Sequence, residues 1–257
     1  MLAYERKKQI LDFLRQQGRF VTVEELCENL YASGATIRRD LKELEESRLI
    51  RRARGGAILL ESSTSEDPLA FRETQNAMKK QIIAESACKY IRDGMTLFLD
   101  SSSTVFLLAR MLDQFQELKV ITNGLKTALL LSDFKNVRVI CTGGTLRENS
   151  KSMVGDAARA TAARFNGDLA LISCRGFSIE NGVSEASEEE YCVKRQFLQN
   201  SRRALLLCDT SKMNVDFLCR LAPLSQFYEV ITERKETNDL CNQHTQIAKI
   251  KQPPHAG

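Results

Sequence analysis

The sequence predicts an α/β protein in two parts: a small helical unit closed by a hairpin, and a larger unit built on a parallel sheet covered on both faces. Two observations predict it. Within the first 57 residues, three segments carry apolar residues at helical spacing, and two short strand-like runs follow around Gly55-Gly56. From about residue 94 onward, apolar runs of strand length alternate with helical ones, the pattern of βαβ units in a doubly wound sheet. A chain of 257 residues can give each part its own core.

Taken in order, Ile10, Leu11 and Leu14 recur at helical spacing before Gly18, the expected stop of a first helix. Thr22 and Glu25 form a capping box for a second helix, with Val21 and Leu26 as its hydrophobic staple, and this helix should end near Leu30. Ser33 caps a third helix whose stripe is Ile37, Leu41 and Leu44, ending near Ser47. "LIRRARGGAILL" reads as two strands around a Gly55-Gly56 turn. Three helices and a hairpin in residues 1–57 make a winged helix-turn-helix.

Residues 58–76 are polar, carry Pro68 and lack a sustained apolar period, so they read as a linker. The second part, 77–257, opens with a helix from about Met78 to Arg92 that stops at Gly94. Its strands are "MTLFLD", "LKVITN", "VRVICTGG", "DLALISC", "ALLLCD" and "YEVIT", with "VFLLARML" and "LKTALLLSDF" as intervening helices.

Composition narrows the function. The 37 Lys and Arg against 33 Asp and Glu leave a net charge of only +4, so affinity for a polyanion must come from where charge sits. No stretch reaches the roughly 18 uninterrupted apolar residues of a membrane span, and the N-terminus lacks a secretory apolar core, which implies a cytoplasmic protein. Eight cysteines show no CxxC pair and read as small buried hydrophobes in a reducing compartment, and with two histidines no metal or other cofactor is expected.

Charge is concentrated in "SGATIRRDLKELEESRLIRRARGGA". With Ile37 facing the core and about 100° per residue, Ala35, Arg39 and Lys42 lie opposite the apolar stripe, with Thr36 and Arg38 flanking them. Ser33 and these residues form a basic helix face with a small Ala that permits close approach to a major groove. Glu43, Glu45 and Glu46 would repel phosphate, so only the first two turns enter. Arg51, Arg52 and Arg54 place charge on the wing. The alternative is an ordinary solvated helix with a basic hairpin.

The segment "ERKKQILDFLRQQGRFVTVEELCENLYASGATIRRDLKELEESRLIRRARGGA" resembles the N-terminal signature of the DeoR family of bacterial transcription regulators, most specifically at "TIRRDL", and the resemblance runs through nearly the whole chain. Arg54 stands where many members have His. The resemblance implies a second domain similar in fold to ribose-5-phosphate isomerase that senses phosphorylated sugars.

Open α/β sheets bind ligands beyond the carboxyl ends of their strands. Those positions are polar here: Asp100, Ser101, Ser102, Ser103 and Thr104; Thr122, Asn123 and Gly124; Gly143, Gly144 and Arg147; Arg175 and Gly176; and Asp209 through Lys212. The first loop matches the family's phosphate loop, with Ser102 in place of a Gly, which leaves its backbone path open because Ser resists positive φ. "EEEYCVKR" matches a family segment through Glu190, Lys194 and Arg195, and "DTSK" makes Lys212 a partner for a ligand anion. Asp100 and Asp209 as strand-end caps, Gly143-Gly144 as a turn, and Glu190 with Lys194 as an exposed i,i+4 ion pair are the competing readings.

The expected function is a ligand-responsive repressor of a carbohydrate operon, a homo-oligomer (dimer or tetramer) that binds double-stranded operator DNA and a phosphorylated sugar and has no membrane association. The rival is a sugar-phosphate isomerase-like enzyme with a DNA-binding domain, using Glu185, Glu188, Glu189, Glu190, Lys194 or Lys212 as acid or base. No nucleophile–base pairing is visible in the sequence, and catalytic residues are not assigned.

Overall fold

The computed structural model describes residues 2–17, 19–47, 49–59 and 69–251, and the chain divides into two compact units, Met1–Thr74 and Gln75–Gly257. In the first unit the elements are α1 (Ala3–Gln17), β1 (Val21–Thr22), α2 (Val23–Leu30), α3 (Gly34–Glu46), β2 (Ile50–Ala53), β3 (Gly56–Leu59) and α4 (Leu69–Thr74). Gly18, the expected stop of α1, and residues 60–68 of the expected linker lie outside the described residues.

The local signals explain the helices. Thr22 accepts from the Glu25 N–H while the Glu25 carboxylate accepts from the Thr22 N–H, the complete capping box. Ser33 accepts from the Thr36 N–H to start α3. Ile10, Leu11, Leu14, Val21, Leu26, Leu30, Ile37, Leu41 and Leu44 are buried together in one core.

The hairpin differs in one respect from its sequence reading. Ala53 pairs with Gly56, so the turn is Arg54-Gly55 and Gly56 belongs to β3. Gly55 has φ +87°, which a turn of this kind assigns to glycine. Gly56 is required for a different reason: a Cβ there would lie 2.1 Å from the Val21 carbonyl oxygen, where β3 packs between β1 and β2. β3 also runs to Leu59, two residues into the expected linker 58–76, and α4 falls within the same region.

The second unit contains α5 (Ala77–Cys88), β4 (Thr96–Leu99), α6 (Ser103–Ala109), β5 (Leu118–Thr122), α7 (Leu125–Ser132), β6 (Val137–Cys141), β7 (Thr145–Leu146), β8 (Met153–Val154), α8 (Asp156–Ala162), β9 (Gly167–Ile172), β10 (Gly176–Ser178), β11 (Gly182–Glu185), α9 (Glu188–Gln199), β12 (Ser201–Leu207), β13 (Cys219–Ala222), β14 (Glu229–Ile231) and α10 (Lys235–Lys251). α5 ends before Arg92 because Tyr90 and Ile91 donate three residues back rather than four.

Six strands form one wholly parallel sheet in the order β14-β12-β9-β4-β5-β6. The chain winds from β4 outward through β5 to β6, then returns to β9 and winds the other way through β12 to β14. β4 and β9 are therefore adjacent strands whose following connections part, which makes their carboxyl ends the topological switch point. Alternation sends Leu97, Leu99, Leu205 and Leu207 to the face covered by α5 and α6, and Phe98, Leu206 and Ile172 to the face covered by α8 and α9. A small antiparallel sheet, β10-β11-β13, and the β7-β8 hairpin flank the parallel sheet. Of the eight cysteines, Cys88, Cys174, Cys208 and Cys241 are buried, but Cys141 at the end of edge strand β6 is exposed and Cys27, Cys192 and Cys219 are half-buried.

Candidate functional site

In the first unit, the orientation of α3 is fixed by its inward polar group as well as its apolar stripe. Asp40 is buried and accepts from the Arg6 guanidinium of α1, and Lys7 of the same helix donates to Glu43 at 2.6 Å. With that side pinned, Ala35, Arg38, Arg39 and Lys42 are exposed on the other. The Arg38 guanidinium folds back near Gly34, where any Cβ would approach it to 3.1 Å. Arg39 leans 3.4 Å from Glu43 and Lys42 3.9 Å from Glu46, exposed pairs of the kind that hold a side chain only weakly. Thr36 is half-buried, its hydroxyl shared with Ser33 at 2.8 Å.

On the wing, Arg51, Arg52 and Arg54 are all exposed. They are not equivalent. Glu45 accepts the Arg52 backbone N–H at 3.0 Å and lies 3.8 Å from its guanidinium, so Arg52 ties the wing to α3, while Arg54 occupies the turn itself.

In the second unit, the strand ends converge at the switch point. Asp100, directly after β4, is fully buried; it accepts from the Ser102 N–H at 3.0 Å and from the Ser173 N–H at the end of β9 at 2.8 Å. Lys194 of α9 enters the same space, donating to Glu185 at 2.7 Å and to the Ser173 carbonyl at 3.0 Å, with Asp100 at 3.2 Å. Burial alone would lower the Lys194 pKa, but Glu185, Asp100 and Glu190 outweigh it and hold the ammonium form. Burial pushes Glu185 up, and Lys194 opposes that shift. Glu190 and Lys194 are thus not an exposed surface pair: both are buried, and Lys194 bonds elsewhere.

Ser102 has φ −73° and caps α6 by accepting from the Val105 N–H. The loop takes the extended path any residue adopts, so no glycine is needed there, and the hydroxyl supplies a cap. At Gly124 a Cβ would lie 3.1 Å from the Ser101 Cα, a tight contact that a larger residue would have to push aside. The loop after β5 is thereby drawn against the loop after β4.

Glu190 receives the Ser152 hydroxyl in a short hydrogen bond on one carboxylate oxygen, and Arg147 lies 3.4 Å from that same oxygen and 3.3 Å from Glu189. Arg147 therefore fastens the β7-β8 hairpin to the start of α9. Lys212 donates to the Cys174 carbonyl at 2.6 Å and the Ser173 hydroxyl at 3.2 Å. Asp209 caps its own turn, accepting from the Ser211 N–H at 3.2 Å, and so follows the strand-end-cap reading. Gly143 and Gly144 have φ +67° and +106°, and Gly144 packs against the Val154 carbonyl. The Arg175 guanidinium lies 5.6 Å over the Phe217 ring, and Gly176 permits Val215 to approach.

Three buried side-chain oxygens around this sheet end have no hydrogen-bond partner among the described residues: Thr104 Oγ1, Asn123 Oδ1 and Glu190 Oε2. Orphaned buried polar atoms are rare in folded proteins; these three lie in the first turn of α6, directly after β5 and in the first turn of α9.

Two family models match this chain. One, the DeoR-like helix-turn-helix domain, matches residues 6–63, and the other, the DeoR C terminal sensor domain, matches residues 75–234. The chain belongs to the DeoR family. An uncharacterized HTH-type transcriptional regulator of Bacillus subtilis, YulB, is 34% identical over 91% of this chain and 90% of its own length. The glycerol-3-phosphate regulon repressor of Escherichia coli is 32% identical over 89% of this chain and 90% of its own. Ribose 5-phosphate isomerase A of Methanocaldococcus jannaschii aligns with 54% of this chain and 55% of its own at a TM-score of 0.41 and 16% identity. This DeoR-family protein is a DNA-binding transcriptional regulator with a sensor domain.

Within the DeoR sensor fold, Asp100, Thr122, Asn123 and Lys212, which the strand-end rule singles out, lie at this end of the sheet together with two residues it does not single out, Ser173, which bonds Asp100 and Lys212, and Ser152, which bonds Glu190. Ser173 closes the "DLALIS" run and could have been found by the same rule. Ser152 forms a single-residue bridge with Gly124 just ahead of β8, below the length at which periodicity registers.

Proposed function

We propose that this DeoR-family protein represses a carbohydrate-metabolism operon and that a phosphorylated sugar or polyol, bound at the switch point, lowers its affinity for operator DNA. The observation that carries this reading is the group of unpartnered buried side-chain oxygens, the Thr104 hydroxyl and the acceptors of Asn123 and Glu190, beside a hydroxyl-rich loop and two lysines. In the proposal, Ser101, Ser103 and Thr104 hold the phosphate with Lys212 supplying charge, while Asn123 and Glu190 accept from the sugar hydroxyls. Asp100, Glu185 and Lys194 form the buried floor that fixes the strand ends. Ser33, Ala35, Thr36, Arg38, Arg39 and Lys42 face the major groove, and Arg51 and Arg54 reach the backbone from the wing.

A regulator fits better than an enzyme because Lys194 is held by Glu185 and Asp100, and Asp100 is occupied by two backbone N–H groups, so neither is poised for proton transfer. The relatives carry regulator and repressor names, which supports the same reading. Coupling requires an effector that prefers one of two arrangements of the DNA-binding units in a homo-oligomer. Among the described residues no helix is long and apolar enough to cross a membrane, in keeping with a cytoplasmic role.

The test is to enrich a duplex from random sequence on the purified protein, then titrate its complex with phosphorylated three- to six-carbon sugars and polyols. Release by one or a few of them supports the reading. Release by none, or turnover of a pentose or hexose phosphate, contradicts it.

A further inference from the structure

Tyr31 joins α2 to α3, two residues ahead of the Ser33 cap, and its backbone lies in the left-handed region at φ 51° and ψ 42°. That conformation crowds the β-carbon of an L-residue against the following carbonyl, and glycine or asparagine ordinarily takes it. Among the described residues with positive φ other than glycine, Tyr31 is the aromatic one; the rest are Asn76, Glu117, Lys151 and Asn214. Its side chain is not held by the fold. It is 96% exposed, although its neighbours Leu30 and Ala32 pack into or against the core. The backbone N–H satisfies the helix end by donating to the Cys27 carbonyl, a bond that any non-proline residue would make.

A strained backbone and a wholly exposed aromatic ring both disfavour this residue in the protein alone, and neither is offset by a contact within the unit. Strain of this kind is kept where function uses the side chain. Tyr31 precedes by three residues the end of α3 that carries Ala35, Arg38 and Arg39, so its exposed ring is within reach of what that helix end meets.

We infer that Tyr31 is a DNA-backbone contact: its ring packs on a sugar beside the major groove, and its hydroxyl donates to a phosphate oxygen, setting the register of α3. The inference rests on the DNA-binding reading above. A neutral contact of this type differs from those of Arg51 or Arg54, because it displaces no counterion and reads no base.

The experiment compares the full-length protein with Tyr31→Gly and Tyr31→Phe on the enriched duplex and on a random-sequence duplex, across a salt series, alongside thermal unfolding. Tyr31→Gly should weaken binding to both duplexes by about tenfold, the scale of a hydrogen bond to a charged group. The slope of log Kd against log salt should stay unchanged, and the thermal midpoint should hold or rise as strain is relieved. Tyr31→Phe should show most of the same loss. Binding by Tyr31→Gly within about twofold of the unaltered protein overturns the inference. So does a loss accompanied by a lowered thermal midpoint, which would make Tyr31 a structural residue, or a loss confined to the enriched duplex, which would make it a base contact. If the unaltered protein binds neither duplex, the DNA-binding reading itself fails.

Discussion

The Lys194 ammonium lies 3.2 Å from the Asp100 carboxylate, and both groups are buried at the point where the sheet changes winding direction. Asp100 already bridges two strand ends through the N–H groups of Ser102 and Ser173. Lys194 adds α9 and, through Glu185, the small antiparallel sheet. One buried cation thus joins four elements beneath the proposed effector.

Removing that cation leaves two buried carboxylates without compensation. Lys194→Met should destabilise the protein by about 3–5 kcal/mol in urea unfolding, and adding Glu185→Leu should recover part of the loss. A single variant within about 1 kcal/mol of the unaltered protein would show that these groups do not depend on one another as the geometry implies.

The two wing glycines should behave oppositely. Gly55→Asn meets nothing within 4 Å and suits positive φ, so its stability and DNA binding should change little. Gly56→Ala drives a methyl group to 2.1 Å from the Val21 carbonyl oxygen and should cost more than about 2 kcal/mol while weakening DNA binding. Equal tolerance of both would mean that β3 does not pack on β1 as closely as described.

The basic residues should separate into readers and holders. Arg39→Ala, on the outward face of α3, should cost about 1–3 kcal/mol on the enriched duplex and relax base preference. Arg54→Ala, on the turn of the wing, should weaken all DNA alike and reduce the salt slope by about one. Similar losses on specific and random DNA for both variants would erase the distinction. Arg52→Ala should act partly through stability, because Arg52 ties the wing to Glu45.

The parallel sheet was legible in the sequence because its strands are apolar runs bounded by polar strand ends, and α2 and α3 because their caps sit at fixed offsets from their stripes. Other features depend on pairings that periodicity does not carry. The β7-β8 strands are two residues long, and those of β10-β11-β13 are three or four. Asp40 breaks the apolar stripe of α3 and is explained only by Arg6, 34 residues away. Glu190 and Lys194 show the limit most clearly: spacing makes them resemble a solvated i,i+4 pair, whereas the burial that gives them their proposed role arises from β4, β9 and β11 folding around α9.

If the loop at Ser101 to Thr104 holds the effector's phosphate, Ser103→Asp places a carboxylate where that phosphate should sit. The measurement is operator-duplex binding titrated with the effector identified for the unaltered protein. The variant should bind the duplex with unchanged affinity in the absence of effector and remain bound at effector concentrations that release the unaltered protein, because repulsion blocks the anion without touching the N-terminal unit. A Ser103→Asp protein that releases DNA at the same effector concentration as the unaltered protein would place the phosphate elsewhere and contradict the account.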